Sequence, residues 1–321
     1  MAMSEGLVQP EPMFDNPFHI EDLLVFDRTS LQRMLAQNSF GVTPKHLAYS
    51  LHNMPRPLVK HIEKCVPLKQ RAAFRRELHC PLSDNQIAQA REHVLDSLFW
   101  ELTYWKTPGL YEELTEGEEL HPGIFQQLAP ELRGQTVLDV GAGSGRATLE
   151  CLHYGASLVH AVEPSPGLLR ILKQKSMQQP VAQRVVPHEG RFDAVPLLDN
   201  SVDIALSCSA FTAMPEQGGE QGLVELQRVT KSGGKIVLIW PRVEDRDWLK
   251  AHGFNYVFLP MQQEMSVHFR SLRSALHCAQ LFYARNQAVL QYVLTKQKAD
   301  VPFSVIGMNP PRDYCWRIVE K

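Results

Sequence analysis

Two acidic residues and a run of glycines are the residues here whose types and spacing could do chemistry. Asp139 lies inside the apolar run Thr136-Val-Leu-Asp-Val140, which breaks into Gly141-Ala142-Gly143-Ser144-Gly145 and then into helix-forming residues from Arg146. Glu163 closes a second apolar run, Leu158-Val-His-Ala-Val-Glu163. A strand, a glycine turn and a helix form the ligand-facing edge of an α/β sheet. Glycine there turns the backbone at positive φ and leaves no side chain where a ligand must lie against the chain. The spacing excludes two phosphate sites. A dinucleotide fingerprint needs glycine at the last position of G-x-G-x-x-G, where Arg146 stands, and no Gly-Lys-Ser/Thr follows to make a P-loop. Two carboxylates beside such a turn would repel a pyrophosphate and suit a cationic, hydroxyl-bearing ligand.

S-adenosylmethionine has that profile. The chain resembles the class I S-adenosylmethionine-dependent methyltransferases, whose first motif, acid-x-Gly-x-Gly-x-Gly, is matched by Asp139-Val-Gly-Ala-Gly-Ser-Gly145. The resemblance covers roughly residues 107–260 and the last hairpin. It implies S-adenosyl-L-methionine as cofactor, S-adenosyl-L-homocysteine as product, and a binding set of Asp139, Gly141, Ala142, Gly143, Gly145, Glu163, Pro164 and Ser207. Glu163 is expected to hold the ribose hydroxyls. Asp139, costly to bury unpaired, is expected to take backbone N–H partners and order the loop. Where relatives carry Gly-Asp-Ala after the third strand this chain has Gly190-Arg191-Phe192-Asp193, so Arg191 replaces the usual adenine-binding acid. Phe192 is then expected along the adenine, with Asp193 and backbone groups making polar contacts. Tyr111 and His121 loosely match an aromatic beside the cofactor's methionine part and a basic-Pro step, and are the catalytic candidates. A packed aromatic and a helix-starting His-Pro turn are the equal alternative. No Asn-Pro-Pro-Tyr motif follows the fourth strand, where Ser209-Ala-Phe-Thr212 stands, and Asn309-Pro-Pro reads as a turn.

The elements positioning these residues read as a Rossmann-like, doubly wound, mostly parallel α/β sheet with an antiparallel last strand. Val202–Phe211 and Gly233–Trp240 are its fourth and fifth strands, with a helix near residues 220–230 between them. Phe254–Leu259 follows as a strand. Phe303–Met308, a turn, and Tyr314–Val319 read as strand, turn, strand. Residues 1–106 form a tail, loose over 1–20, and a helical region. Thr29 and Ser30 cap one helix, Thr43-Pro44 opens another, and Ser83-Asp84 starts a long one with the stripe Ile87, Ala90, Val94, Leu98 and Leu102. Residues 107–260 form the cofactor-binding core, 261–297 a helical insert acting as a lid, and 298–321 a hairpin completing the sheet.

Lys and Arg total 33 against 35 Asp and Glu, a net charge of −2, so global electrostatics do not draw the chain to nucleic acid or anionic lipid. A small-molecule acceptor is the expected partner. Six cysteines are scattered without C-x-x-C spacing, which points to free thiols, a reducing cytoplasmic setting and no metal. No run approaches the roughly 20 apolar residues that span a bilayer. The leading reading is methyl transfer to an O or N atom of a small molecule, mainly by proximity and desolvation. An RNA methyltransferase using the basic 56–76 segment, and a non-catalytic cofactor-binding protein, are the alternatives.

Overall fold

The computed structural model describes residues 15–36, 40–178 and 182–321. Most of the expected loose tail lies outside the described residues. Among them nine strands form: β1 (Thr136–Val140), β2 (Leu158–Glu163), β3 (Val185–Glu189), β4 (Val202–Cys208), β5 (Thr230–Ile239), β6 (Asn255–Phe258), β7 (Ser266–His268), β8 (Asp300–Pro302) and β9 (Asp313–Ile318). One sheet has the order β3-β2-β1-β4-β5-β9-β6, and β7 pairs with β8 separately. β1 to β5 are parallel, while β9 runs antiparallel to both β5 and β6. This is the mostly parallel, doubly wound sheet the sequence predicts. Its strand order reverses between β1 and β4, where the crevice for a ligand opens.

Both faces of the sheet's centre are covered, which is why β1, β2, β4 and the end of β5 are largely apolar and buried. Val137, Val159, Leu206 and Val237 pack on one face with the helices Gly123–Leu132 and Arg146–His153. Leu138, Val162, Ala205 and Leu238 pack on the other, with Gly219–Val229 and Arg246–Ala251. A third core is mainly helical, with Val267 of β7 and Val301 of β8 added to it. It joins the N-terminal helices to the insert, burying Leu31, Ile62, Phe74 and Phe99 with Ala279, Phe282, Val289 and Phe303. Phe99 meets Phe282 edge-on at 6.0 Å, and Trp100 stacks on the same ring at 5.8 Å.

Several expectations are corrected. Phe303–Ile306 is a helical turn rather than a strand, because Phe303 and Ile306, three residues apart, are both needed in the helical core. The extended residues before it, β8, pair with β7, so β9 closes no hairpin and instead fills the gap between β5 and β6. The long helix from Ser83 breaks at Leu98 (φ −106°, ψ 12°) into Asp84–Ser97 and Phe99–Lys106. That break keeps Phe99 and Leu102 in the helical core while Glu101, Tyr104 and Trp105 reach the sheet's carboxyl edge. The first helix is capped by Asp27, whose Oδ1 accepts from the N–H groups of Thr29 and Ser30 at 2.8 and 2.9 Å. No residue of 261–297 lines the cavity at that edge, so the insert buttresses the N-terminal helices instead of covering the site.

Candidate functional site

The turn after β1 is left-handed at Gly141, Gly143 and Gly145, with φ of 71°, 54° and 97°. Its N–H groups are taken up by β2. Gly141 and Ala142 donate to the Val162 carbonyl at 2.9 and 3.1 Å, and Gly143 donates to Glu163 Oε2 at 3.0 Å. The other oxygen of Glu163 accepts from the Ser165 N–H at 2.9 Å, at the start of the helix Pro166–Met177. Glu163 thus ties the β1 turn to the β2 turn while lining the cavity. Burial pushes its carboxyl up to about 7, against the pull of those two N–H bonds. The backbone N–H partner expected of Asp139 is that of Thr148, in the helix that follows the glycine turn. Fully buried in β1, Asp139 accepts the Thr148 hydroxyl at 2.6 Å and so anchors the following helix, and burial pushes its carboxyl up to about 6.

Above the turn lies a cavity partly open to solvent. Of the residues singled out in the sequence, it brings together Gly141, Gly143, Glu163, Pro164, Arg191, Phe192, Asp193 and Tyr111. Asp139, Ala142, Gly145, Ser207 and His121 are not on its wall. Gly145 packs under Leu172, Ser207 is buried in β4, and His121 Nδ1 accepts the Gly123 N–H at 3.1 Å, at the start of a helix. Phe192 stands edge-on to Phe211 at 5.3 Å, and Arg191 Nε lies 3.4 Å from Asp193 Oδ1. The opposite wall comes from the N-terminal region: Phe40, Glu101, Tyr104, Trp105 and Tyr111. Glu101 escaped sequence reading because its helix was merged with the one before. Its i, i+3, i+4 spacing from Tyr104 and Trp105 was the available signal.

Two strand ends carry backbone strain that no residue type announces. Ser209 after β4 and Trp240 after β5 have φ of 52° and 53°, uncommon for side-chain-bearing residues and often found at functional sites. Beside them Arg146, where a dinucleotide site has glycine, donates to the backbone oxygen and carboxylate of Glu118 at 2.9 and 3.2 Å and to Ser209 Oγ at 3.2 Å. Its guanidinium also lies 5.8 Å from the Trp240 ring centre.

These residues fit S-adenosylmethionine on chemical grounds. A Cβ on Gly143 would meet only the Tyr111 ring, at 3.8 Å, so the missing side chain leaves space open to a ligand. The wall carries Glu101, Glu163, Asp193 and Glu216 against Arg191 alone, a balance that favours a cation. Residues 137–234 match the family model described as a methyltransferase domain. A dimethylglycine N-methyltransferase of Parasynechococcus marenigrum is 26% identical over 154 residues, 42% of this chain and 54% of that protein. An uncharacterized methyltransferase of Mycobacteroides abscessus is 38% identical over 111 residues, 33% of this chain and 40% of that one. The chain therefore spans about half or less of the length of these two relatives. The solved structure of the YcgJ protein of Bacillus subtilis is 15% identical with a TM-score of 0.43, covering 63% of this chain and all of that one. The matched segment, residues 137–234, holds the glycine turn and Glu163, so the part of the chain that builds the sheet's wall of the cavity is the part that is similar to methyltransferase domains.

Proposed function

We propose that this chain transfers a methyl group from S-adenosylmethionine to an O or N atom of a small-molecule acceptor. The observation that carries the reading is one cavity with two kinds of wall. The glycine turn, Glu163 and Phe192 form the wall from the sheet, and the aromatic face Tyr104, Trp105 and Tyr111 forms the wall from the N-terminal helices. When bound, S-adenosylmethionine supplies an electrophilic methyl group on sulfur. The chain's own part is to hold, orient and dry. Glu163 receives hydroxyl donors, the φ-positive glycines let the backbone approach, Phe192 offers a flat apolar face, and the tyrosines and Trp105 exclude water from the reacting end. Tyr111 is a poor proton acceptor, since burial pushes its hydroxyl well up, so its role is shape.

The basic 56–76 segment keeps Arg56, Lys60, Lys64, Lys69, Arg75 and Arg76 exposed but offers no Phe, Tyr or Trp ring for base stacking, since Phe74 is buried. Arg71 donates to the Val66 and Lys64 carbonyls, Arg75 pairs with Glu63, and Leu58, Ile62 and Phe74 bury the segment's other face. Among the described residues no helix is long and apolar enough to cross a membrane, and a cytoplasmic setting is part of the proposal. Calorimetry with S-adenosylhomocysteine, followed by an assay of methyl loss from S-adenosylmethionine over a small-molecule panel, tests the reading. Saturable one-site binding and acceptor-dependent turnover are expected. Binding without turnover on any small molecule would favour a cofactor-binding protein, and turnover confined to RNA would overturn the small-molecule reading.

A further inference from the structure

The acceptor side of the cavity has its own charge problem. The cavity as a whole carries four carboxylates, Glu101, Glu163, Asp193 and Glu216, against the single guanidinium of Arg191, which already lies 3.4 Å from Asp193. Bound S-adenosylmethionine brings one net positive charge, which leaves an excess of negative charge on the wall. Three oxygen-bearing side chains of the N-terminal wall, Glu101, Tyr104 and Tyr111, have no hydrogen-bond partner among the described residues. Glu101, Tyr104 and Trp105 share one face of the helix Phe99–Lys106, and the Tyr104 and Tyr111 rings meet edge-on at 4.8 Å. An aromatic corner with a carboxylate at its rim is the arrangement that receives organic cations.

Resting on the methyltransferase reading above, we propose that the acceptor is an amine, bound as an organic cation against Tyr104, Trp105 and Tyr111 with its nitrogen beside Glu101. Burial pushes the Glu101 carboxyl up, with Arg191 pulling it down, so an ammonium against it restores charge that desolvation disfavours. An ammonium N–H donating to Glu101 can also hand its proton over. The N–H bond breaks, its electron pair stays on nitrogen as the lone pair that methylation requires, and Glu101 becomes the neutral acid. An anionic acceptor would meet the same excess of negative charge with no free cation on the wall.

The test is calorimetry on protein saturated with S-adenosylhomocysteine, using matched probes: choline against 3,3-dimethylbutan-1-ol, and 2-phenylethylamine against 2-phenylethanol. At least one cation should bind about tenfold or more tighter than its uncharged partner, and Glu101→Gln should remove most of that preference. Glu101→Asp should restore part of it. Equal binding within both pairs, or a preference untouched in Glu101→Gln, would overturn the proposal. Loss of S-adenosylhomocysteine binding in Glu101→Gln would place that carboxylate on the cofactor and overturn it as well. Absence of S-adenosylhomocysteine binding in the unaltered protein would instead fell the cofactor reading beneath it.

Discussion

Gly143 donates its backbone N–H to Glu163 across 3.0 Å, so the acid that ends β2 holds the tip of the turn that follows β1. Glu163→Ala removes both the tie and the acceptor for ligand hydroxyls. S-adenosylhomocysteine affinity should fall by about 2–4 kcal/mol, the loss of two charge-assisted hydrogen bonds. Calorimetry returning an unchanged affinity would strip Glu163 of its ligand role. The same group carries a pH dependence. Its carboxyl titrates at about 7 in the fold against an ordinary 4.5, so between these values the folded chain holds a proton the unfolded chain has lost. The ligand-free protein should therefore lose stability as pH rises from about 4.5 to about 7, and Asp139, at about 6 against 3.8, adds the same sign. Affinity should run the other way, rising as pH passes about 7 and Glu163 ionises to accept hydroxyls, with Glu163→Gln flattening that profile.

Two glycines of the turn should fail in different ways. A Cβ on Gly141 would stand 2.6 Å from the Ala210 Cβ and 3.0 Å from Phe192 Cζ, so Gly141→Ala should cost roughly 2 kcal/mol of stability through overpacking and strain at positive φ. Gly143 has only the Tyr111 ring near its Cβ direction, at 3.8 Å. Gly143→Val should keep the fold, at a strain of about 1–2 kcal/mol, yet fill the ligand's volume and abolish binding. Thermal melts read beside calorimetry separate the two. Full binding by Gly143→Val would mean the ligand lies elsewhere.

Arg146 and Glu118 form a largely buried pair at 3.2 Å. Removing the guanidinium strands a carboxylate that burial already pushes up. Arg146→Met should destabilise the fold by ~3 kcal/mol in urea unfolding, and the double variant Arg146→Met, Glu118→Gln should recover much of that loss. If the double variant is no more stable than the single, the pair is not the source of the cost.

The sheet was legible because its signals are local. Apolar runs, glycine turns and the acid closing β2 each sit within a few residues, and the sheet's order follows from the family those residues resemble. What escaped was decided by contacts across the chain. Glu101 reaches the cavity only because the helix breaks at Leu98, and Phe303–Ile306 turns helical because a core built largely from residues before 115 needs both side chains. The groups that accept from the N–H groups of Gly141, Ala142 and Gly143, the Val162 carbonyl and Glu163, likewise come from the neighbouring strand. Ser209 and Trp240 at positive φ carry no sequence signature at all.

The N-terminal helices should respond to ligand directly and the insert only through them. Residues 99–111 contribute Glu101, Tyr104, Trp105 and Tyr111 to the cavity wall, whereas 261–297 contribute none and pack behind. Hydrogen exchange should therefore slow most over 99–111 when S-adenosylhomocysteine and an acceptor are added, and less over the helices Leu272–Leu281 and Gln287–Lys296, which feel the ligand through the Phe99 and Phe282 contact. Equal or greater protection in the insert would return it to the role of a cover. A truncation starting near residue 107 removes Val94, Phe99 and Leu102 from the shared core and leaves Phe282 and Tyr283 without a surface to bury against, so it should not fold as a stable unit. If it did fold, bound S-adenosylhomocysteine with undiminished affinity and methylated the same acceptor at full rate, the N-terminal helices would be no part of the site, and the aromatic wall that carries the proposed function would have to be given up.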